Sequence, residues 1–186
     1  MRETILDIAQ ELIQRRGING MSYNDISKAV EIRKASIHHH FPSKEALINA
    51  VLIRYRAEFQ ESLTEILHAS VKPKTKLQRF MSLFESTIAH GGNDKACLCG
   101  MLSAELLSLS EETAELVREF LNDCRDAIAQ ILKEGQEDDS FVICGNIKNM
   151  SDLFLATLEG GLFMARVEGG PERFSKLLRQ LEKTIC

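Results

Sequence analysis

Between Ser22 and Ala46 the chain reads SYNDISKAVEIRKASIHHHFPSKEA, and residue types and spacing there suggest chemistry. Arg33, Lys34, Ser36, His38 and His39 are hydrogen-bond donors crowded into one short segment, with Ile37 its strong apolar anchor and Phe41 just beyond. A helix of that kind is too short and too polar to be a good core element. Its side chains suit the major groove of a duplex, where residues near a helix N-terminus reach base edges and flanking residues reach phosphates. Lys44 opens the next helix, where its ammonium and the exposed backbone N–H groups can hold a phosphate together.

Other constellations in the chain have simpler roles open to them. His38, His39 and His40 are consecutive, and neighbours on a helix point about 100° apart, so they cannot chelate one metal ion together. DNA-facing or structural roles are expected instead, with His40 the most packed of the three. Glu65 and His68 form E-x-x-H, but a di-metal bundle needs a second such motif and two further carboxylates, and no second motif occurs. Cys97 and Cys99 form C-x-C; residues i and i+2 of a helix do not face each other. Two readings stay open for them: buried small hydrophobes, or a redox or electrophile sensor, which requires a lowered pKa and access. Cys124, Cys144 and Cys186 carry weaker versions of the same choice. Phosphate loop, nucleophile elbow, paired H-x-x-x-H site and CxxC pair are all missing from the sequence. An enzyme, a metal and a cofactor are therefore not expected. The rival reading is a helical-bundle enzyme or a small-molecule sequestering protein.

The elements that position these residues are helices. The 186 residues are 44% hydrophobic and 27% charged, the balance of a globular protein, with few aromatic residues and few alternating β-branched runs. Apolar residues recur at helical spacing over 2–16 (Ile5, Ile8, Ala9, Leu12, Ile13), with Gly17 a stop. Ser22 caps a second helix to about Val30, with Ile26, Ala29 and Val30 inward. A third runs from Lys34 to His40, and Ser43 caps a long fourth from Lys44 to about His68. Further helices are expected over Pro73 to Ala89, Ala96 to Leu109, Ser110 to about Leu132, Asn149 to Val167 and Glu172 to about Lys183. Gly91-Gly92-Asn93 and Gly135 to Ser140 are the breaks. The segment from Ala96 to Leu109 is apolar all round, including Leu106 and Leu107, which predicts central burial. The result is an all-α chain of about nine helices.

Charge is divided unevenly. Residues 1–56 carry nine Lys/Arg against six Asp/Glu, and the remainder carries 14 against 21. A basic head on an acidic body favours an anionic partner at the N-terminal end. No run of roughly 18 apolar residues exists to span a membrane. The charged start MRETILDIAQ lacks a signal peptide's apolar core, and five cysteines is an odd count, so a cytoplasmic protein with unbridged thiols is expected.

The stretch DIS-KAV-x-I-x-K-A-S-I-x-HHFPSKEAL resembles the N-terminal signature of the TetR family of one-component regulators, over roughly residues 5–55. The resemblance implies a helix-turn-helix DNA-binding domain over 1–46 and a ligand-binding and dimerisation bundle over 47–186. It implies a nine-helix, Ω-shaped homodimer joined through its last two helices. Such a protein binds a palindromic operator, usually as a repressor, and a small-molecule effector in the body moves the fourth helix and spreads the heads. By position, Arg33, Lys34, Ser36 and His38 take base or backbone contacts, while His39, Lys44 and Ser22 take phosphates. Two departures stand out: Glu31 replaces the turn glycine, and His38 replaces a common tyrosine. In the body, Phe59, Phe84, Met101, Phe120, Cys124 and Phe154 are candidates to line the effector site, with core packing as the plain alternative. Glu105 is a carboxylate in an apolar helix, costly to bury unpaired. Three fates are open to it: a ligand amine, an arginine, or solvent at a helix edge.

Overall fold

The computed structural model describes residues 1–89 and 93–185. Nine α-helices and no strand occur among them: α1 (Arg2–Arg16), α2 (Tyr23–Val30), α3 (Lys34–His40), α4 (Lys44–His68), α5 (Pro73–Ala89), α6 (Leu98–Ala104), α7 (Glu111–Glu137), α8 (Ile147–Val167) and α9 (Gly170–Glu182). A single 3-10 turn follows α6 over Leu106–Ser108. The expected break at Gly91-Gly92 and the Cys186 thiol lie outside the described residues. No described helix is long and apolar enough to cross a membrane.

The chain forms two compact units. One comprises Met1–Glu58 and Leu98–Phe120; the other comprises Phe59–Cys97 and Leu121–Cys186. In the first, Ile5, Leu6, Ala9 and Ile13 of α1, Ile26 of α2, Ile37 of α3 and Leu47, Val51 and Leu52 of α4 are almost fully buried. Each large apolar side chain withdrawn from water contributes about 1.5–3 kcal/mol, enough to hold even the seven-residue α3 through Ile37. On the outer side of α1, Arg54 of α4 reaches Asp7 (2.7 Å), Glu3 (3.3 Å) and Gln10 (3.1 Å).

In the second unit α8 packs on α9, and α5 packs on both. Phe80, Phe84, Phe154, Leu158, Leu162 and Phe174 of these helices are buried, as are Cys124, Ile128 and Ile131 of α7. Gly161 lets α9 approach, since a Cβ there would stand 2.4 Å from Leu177. Lys76 is 8% exposed; its ammonium donates to the Leu67 carbonyl at the end of α4 (2.6 Å) and to Glu134 (2.8 Å). Burial is the largest single influence on Glu134 and raises its pKa, but the hydrogen bonds from Lys76 and Gln130 and the Lys76 charge together outweigh it, and the net shift is downward.

Several expectations are corrected. The helix expected over Ala96 to Leu109 is only Leu98–Ala104, and Leu106 and Leu107 are 49% and 101% exposed rather than central. Of the three residues expected to face inward on α2, only Ile26 is buried; Ala29 is exposed and Val30 half-buried. Gly135 does not end α7, which continues to Glu137. That glycine makes room for a ring instead, because a Cβ there would lie 2.0 Å from Phe141.

Candidate nucleic-acid interface

Local chemistry builds the head. Ser22 begins α2 with a reciprocal cap: its hydroxyl accepts from the Asp25 amide (3.3 Å), and the Asp25 carboxylate accepts from the Ser22 amide (2.9 Å) and hydroxyl (2.5 Å). The Ser22 hydroxyl bond, then its amide, hold the Asp25 carboxyl below its usual pKa. Helix α2 closes on Glu31, which adopts the left-handed conformation (φ 57°, ψ 39°) where the resemblance implied glycine. The Ile32 amide then donates to the Ser27 carbonyl (3.1 Å), and the Ser27 hydroxyl donates to the Ile32 carbonyl (2.6 Å). A two-residue link from Ile32 to Arg33 leads into α3, and the Tyr23 hydroxyl donates to the Phe41 carbonyl (2.8 Å), fixing the far end of α3 against α2. Partial burial raises the Tyr23 pKa.

This frame leaves one residue of α3 buried. Ile37 is fully inside, while Arg33, Lys34, Ser36, His38, His39 and His40 are exposed. His40, expected to be the most packed, is therefore as open as its neighbours, with its ring 6.4 Å from Phe41 and 5.6 Å from His39. The His38 ring lies 4.7 Å from that of Tyr23. A shallow hollow of about 400 Å³ joins Met21, Ser22, Tyr23, Asn24, Lys34, His38 and Lys44. Four of the seven sequence-predicted DNA-site residues, Ser22, Lys34, His38 and Lys44, thus border one surface. Ser43 caps α4 by accepting from the Ala46 amide (3.1 Å). The Lys44 ammonium hydrogen-bonds the Ile18 carbonyl.

Sequence reasoning gave no sign of the turn at 17–19 as part of this site. Gly17 is in the left-handed region (φ 74°), and the next amides point at the Glu105 carboxylate, 86 and 87 positions away: Ile18 N–H at 2.5 Å and Asn19 N–H at 3.3 Å. The Asn19 side-chain amide adds a bond of 2.9 Å. Glu105 thus takes a structural partner, though not an arginine. The only advance signal was a carboxylate in an apolar segment.

The candidate effector-site residues divide between the units. Met101, Glu105 and Phe120 belong to the first, where Phe120 stacks on Tyr55 at 5.5 Å. Phe59, Phe84, Cys124 and Phe154 belong to the second, where Phe59 meets Phe84 edge-on at 6.2 Å. Beside them sequence reasoning missed Glu159, whose carboxylate oxygens are both enclosed without a nitrogen or hydroxyl donor. The Cys97 thiol hydrogen-bonds towards it, and Cys124 feels its charge. Burial first, then Glu159, pushes the Cys124 thiol well above its ordinary pKa, which opposes a thiolate there. No group of three potential metal ligands occurs among the described residues.

Comparison with known proteins agrees with this architecture. Residues 5–51 match the model of the bacterial regulatory proteins of the tetR family, and residues 73–181 match that of the tetracyclin repressor-like C-terminal domain. The chain is 27% identical over 188 residues to the HTH-type transcriptional repressor NemR of Escherichia coli strain K12, covering 100% of this chain and 94% of NemR. It is 28% identical to the HTH-type transcriptional repressor DhaR of a Mycobacterium species, over 96% of this chain and 88% of DhaR. A TetR-family regulator from Agrobacterium tumefaciens superposes with a TM-score of 0.93 at 32% identity, over 99% of this chain and 96% of that one. The reduced form of E. coli NemR gives 0.85 at 26% identity, over 100% and 96%. Helical head, helical body and both family models together make this chain a member of the TetR family of DNA-binding transcriptional regulators rather than an enzyme.

Proposed function

We propose that the protein is a repressor that binds a palindromic operator as a homodimer and leaves it when an effector occupies the second unit. The observation that carries this reading is α3, with one side chain buried and a row of donors exposed. Arg33, Lys34, Ser36 and His38 read bases or the backbone, and His39, Lys44 and Ser22 hold phosphates. Dimerisation through α8 and α9 is supported by an exposed apolar stripe on α8: Leu153, Ala156, Gly160, Met164 and Val167 recur at nearly heptad spacing. A second copy is the natural partner for such a stripe. Release follows if the effector binds better to a conformer whose two recognition helices miss successive grooves, about 34–36 Å apart.

A gel shift with duplex from upstream of the chain's own gene tests the reading, with sedimentation to count protomers. Sequence-specific retardation as a dimer is the expected result. Lys44→Ala should weaken binding to every sequence and lower the salt slope by about 0.9 for each protomer, about 1.8 for the dimer. An unchanged affinity and slope would remove Lys44 from the phosphate contacts. A thermal-shift screen with operator present identifies the effector. Thiol-reactive compounds belong in it, since a reduced form of the E. coli relative has been distinguished structurally.

A further inference from the structure

We infer that Glu105 is a positioning residue for DNA binding: through the Ile18–Asn19 peptide it holds the Lys44 ammonium where a phosphate meets it. The inference rests on the reading of Lys44 given above. One peptide group links the two charges. Its N–H, from Asn19, donates to Glu105 Oε1 (3.3 Å), and its carbonyl, from Ile18, accepts from Lys44 Nζ. An anion on the N–H side of an amide makes its carbonyl a stronger acceptor, because successive hydrogen bonds polarise one another. Glu105 therefore strengthens the grip on Lys44 without touching it.

The turn is shaped to receive that carboxylate. Gly17 has a positive φ, and a Cβ there would stand 2.5 Å from Glu105 Oε2, so a side chain at 17 would expel it. Ile18 N–H, Asn19 N–H and Asn19 Nδ2 all converge on the two oxygens, and Asn19 Nδ2 also reaches the Ser108 hydroxyl (3.4 Å). Three donors on one carboxylate fix both partners. The 17–19 turn links α1 to α2, and its carbonyl is the acceptor that Lys44 holds at the first residue of α4. A long-chain ammonium has many rotamers, and anchoring it beforehand leaves less to lose when phosphate arrives.

Charge alone predicts the opposite sign. Removing a carboxylate close to the DNA-binding surface lessens repulsion of phosphates and tightens binding. Positioning predicts weakening. Glu105→Gln, which keeps size and removes charge, separates the two. Affinity for the upstream duplex and for a random-sequence duplex is measured against salt, in wild-type and Lys44→Ala backgrounds. The expected result is a loss on the order of 10-fold for both duplexes in the wild-type background, a salt slope falling towards that of Lys44→Ala, and no further loss in the Lys44→Ala background. Glu105→Ala is expected to do the same, with melting curves confirming the fold; the Gln variant decides if the Ala variant unfolds. Tighter or unchanged binding by Glu105→Gln overturns the inference, and so does an equal loss in both backgrounds, which would mark a merely structural role. If Lys44→Ala itself has no effect, the phosphate reading of Lys44 fails and this inference falls with it.

Discussion

Neutralising Glu159 should stabilise the protein at alkaline pH and leave it little changed in acid. Its residue is partly exposed along the stem, but neither carboxylate oxygen has exposed surface or a nitrogen or hydroxyl donor. Burial pushes its pKa up from 4.5 to about 7, with the Cys97 thiol pulling slightly the other way. The folded chain therefore holds this proton more tightly than the unfolded chain does. Below the unfolded value both states are protonated and nothing is lost. As pH rises from 4.5 to about 7 the unfolded state ionises first and stability falls; above that the penalty is complete. At about 1.4 kcal/mol per pKa unit it amounts to about 3 kcal/mol. Glu159→Gln has no charge to bury, though its amide is no better satisfied. Urea midpoints for both proteins, at one fixed concentration because a dimer's stability depends on it, should diverge between roughly pH 5 and roughly pH 8, the variant gaining as pH rises. Parallel curves across that range would refute the claim that this carboxylate is desolvated in the folded state.

Glu31→Gly should stabilise by about 1 kcal/mol, since it relieves a left-handed residue carrying a side chain; a chemical melt without any rise in midpoint contradicts this. Gly135→Ala should cost about 1–3 kcal/mol despite alanine's better helix propensity, because the new methyl meets the Phe141 ring. A melting temperature at or above wild type would show that Phe141 yields without cost. Met164→Glu places a charge on the apolar stripe of α8, where Met164 is 55% exposed, and should shift sedimentation towards monomer at micromolar concentration. An unchanged dimer would move the interface elsewhere.

Much of the head was legible in order of residues. A capping serine, two short apolar-anchored helices and a Phe-Pro stop specify local geometry within a few residues of each other, so α2, α3 and the start of α4 fall where spacing put them. The donors Arg33, Lys34, Ser36, His38 and His39 were legible for the same reason, with Ile37 the strong apolar anchor; His40, expected to pack, was not. Less was readable where the answer depended on a distant partner. Leu106 and Leu107 looked central because periodicity cannot tell a buried helix from an exposed turn made of the same residues. Gly135 looked like a helix end, and only the Phe141 ring packed against it reveals a space-filling role.

Local sequence thus determined the helices of the head, their caps and which face of α3 is polar, because those follow from interactions within a turn or two of the chain. Tertiary structure alone decided that Glu105 closes on amides 86 and 87 positions away and that Glu159 turns its carboxylate inward beside Cys97. A charge's partner is set by what folding brings within hydrogen-bond reach, and that distance is written in no stretch of neighbouring residues.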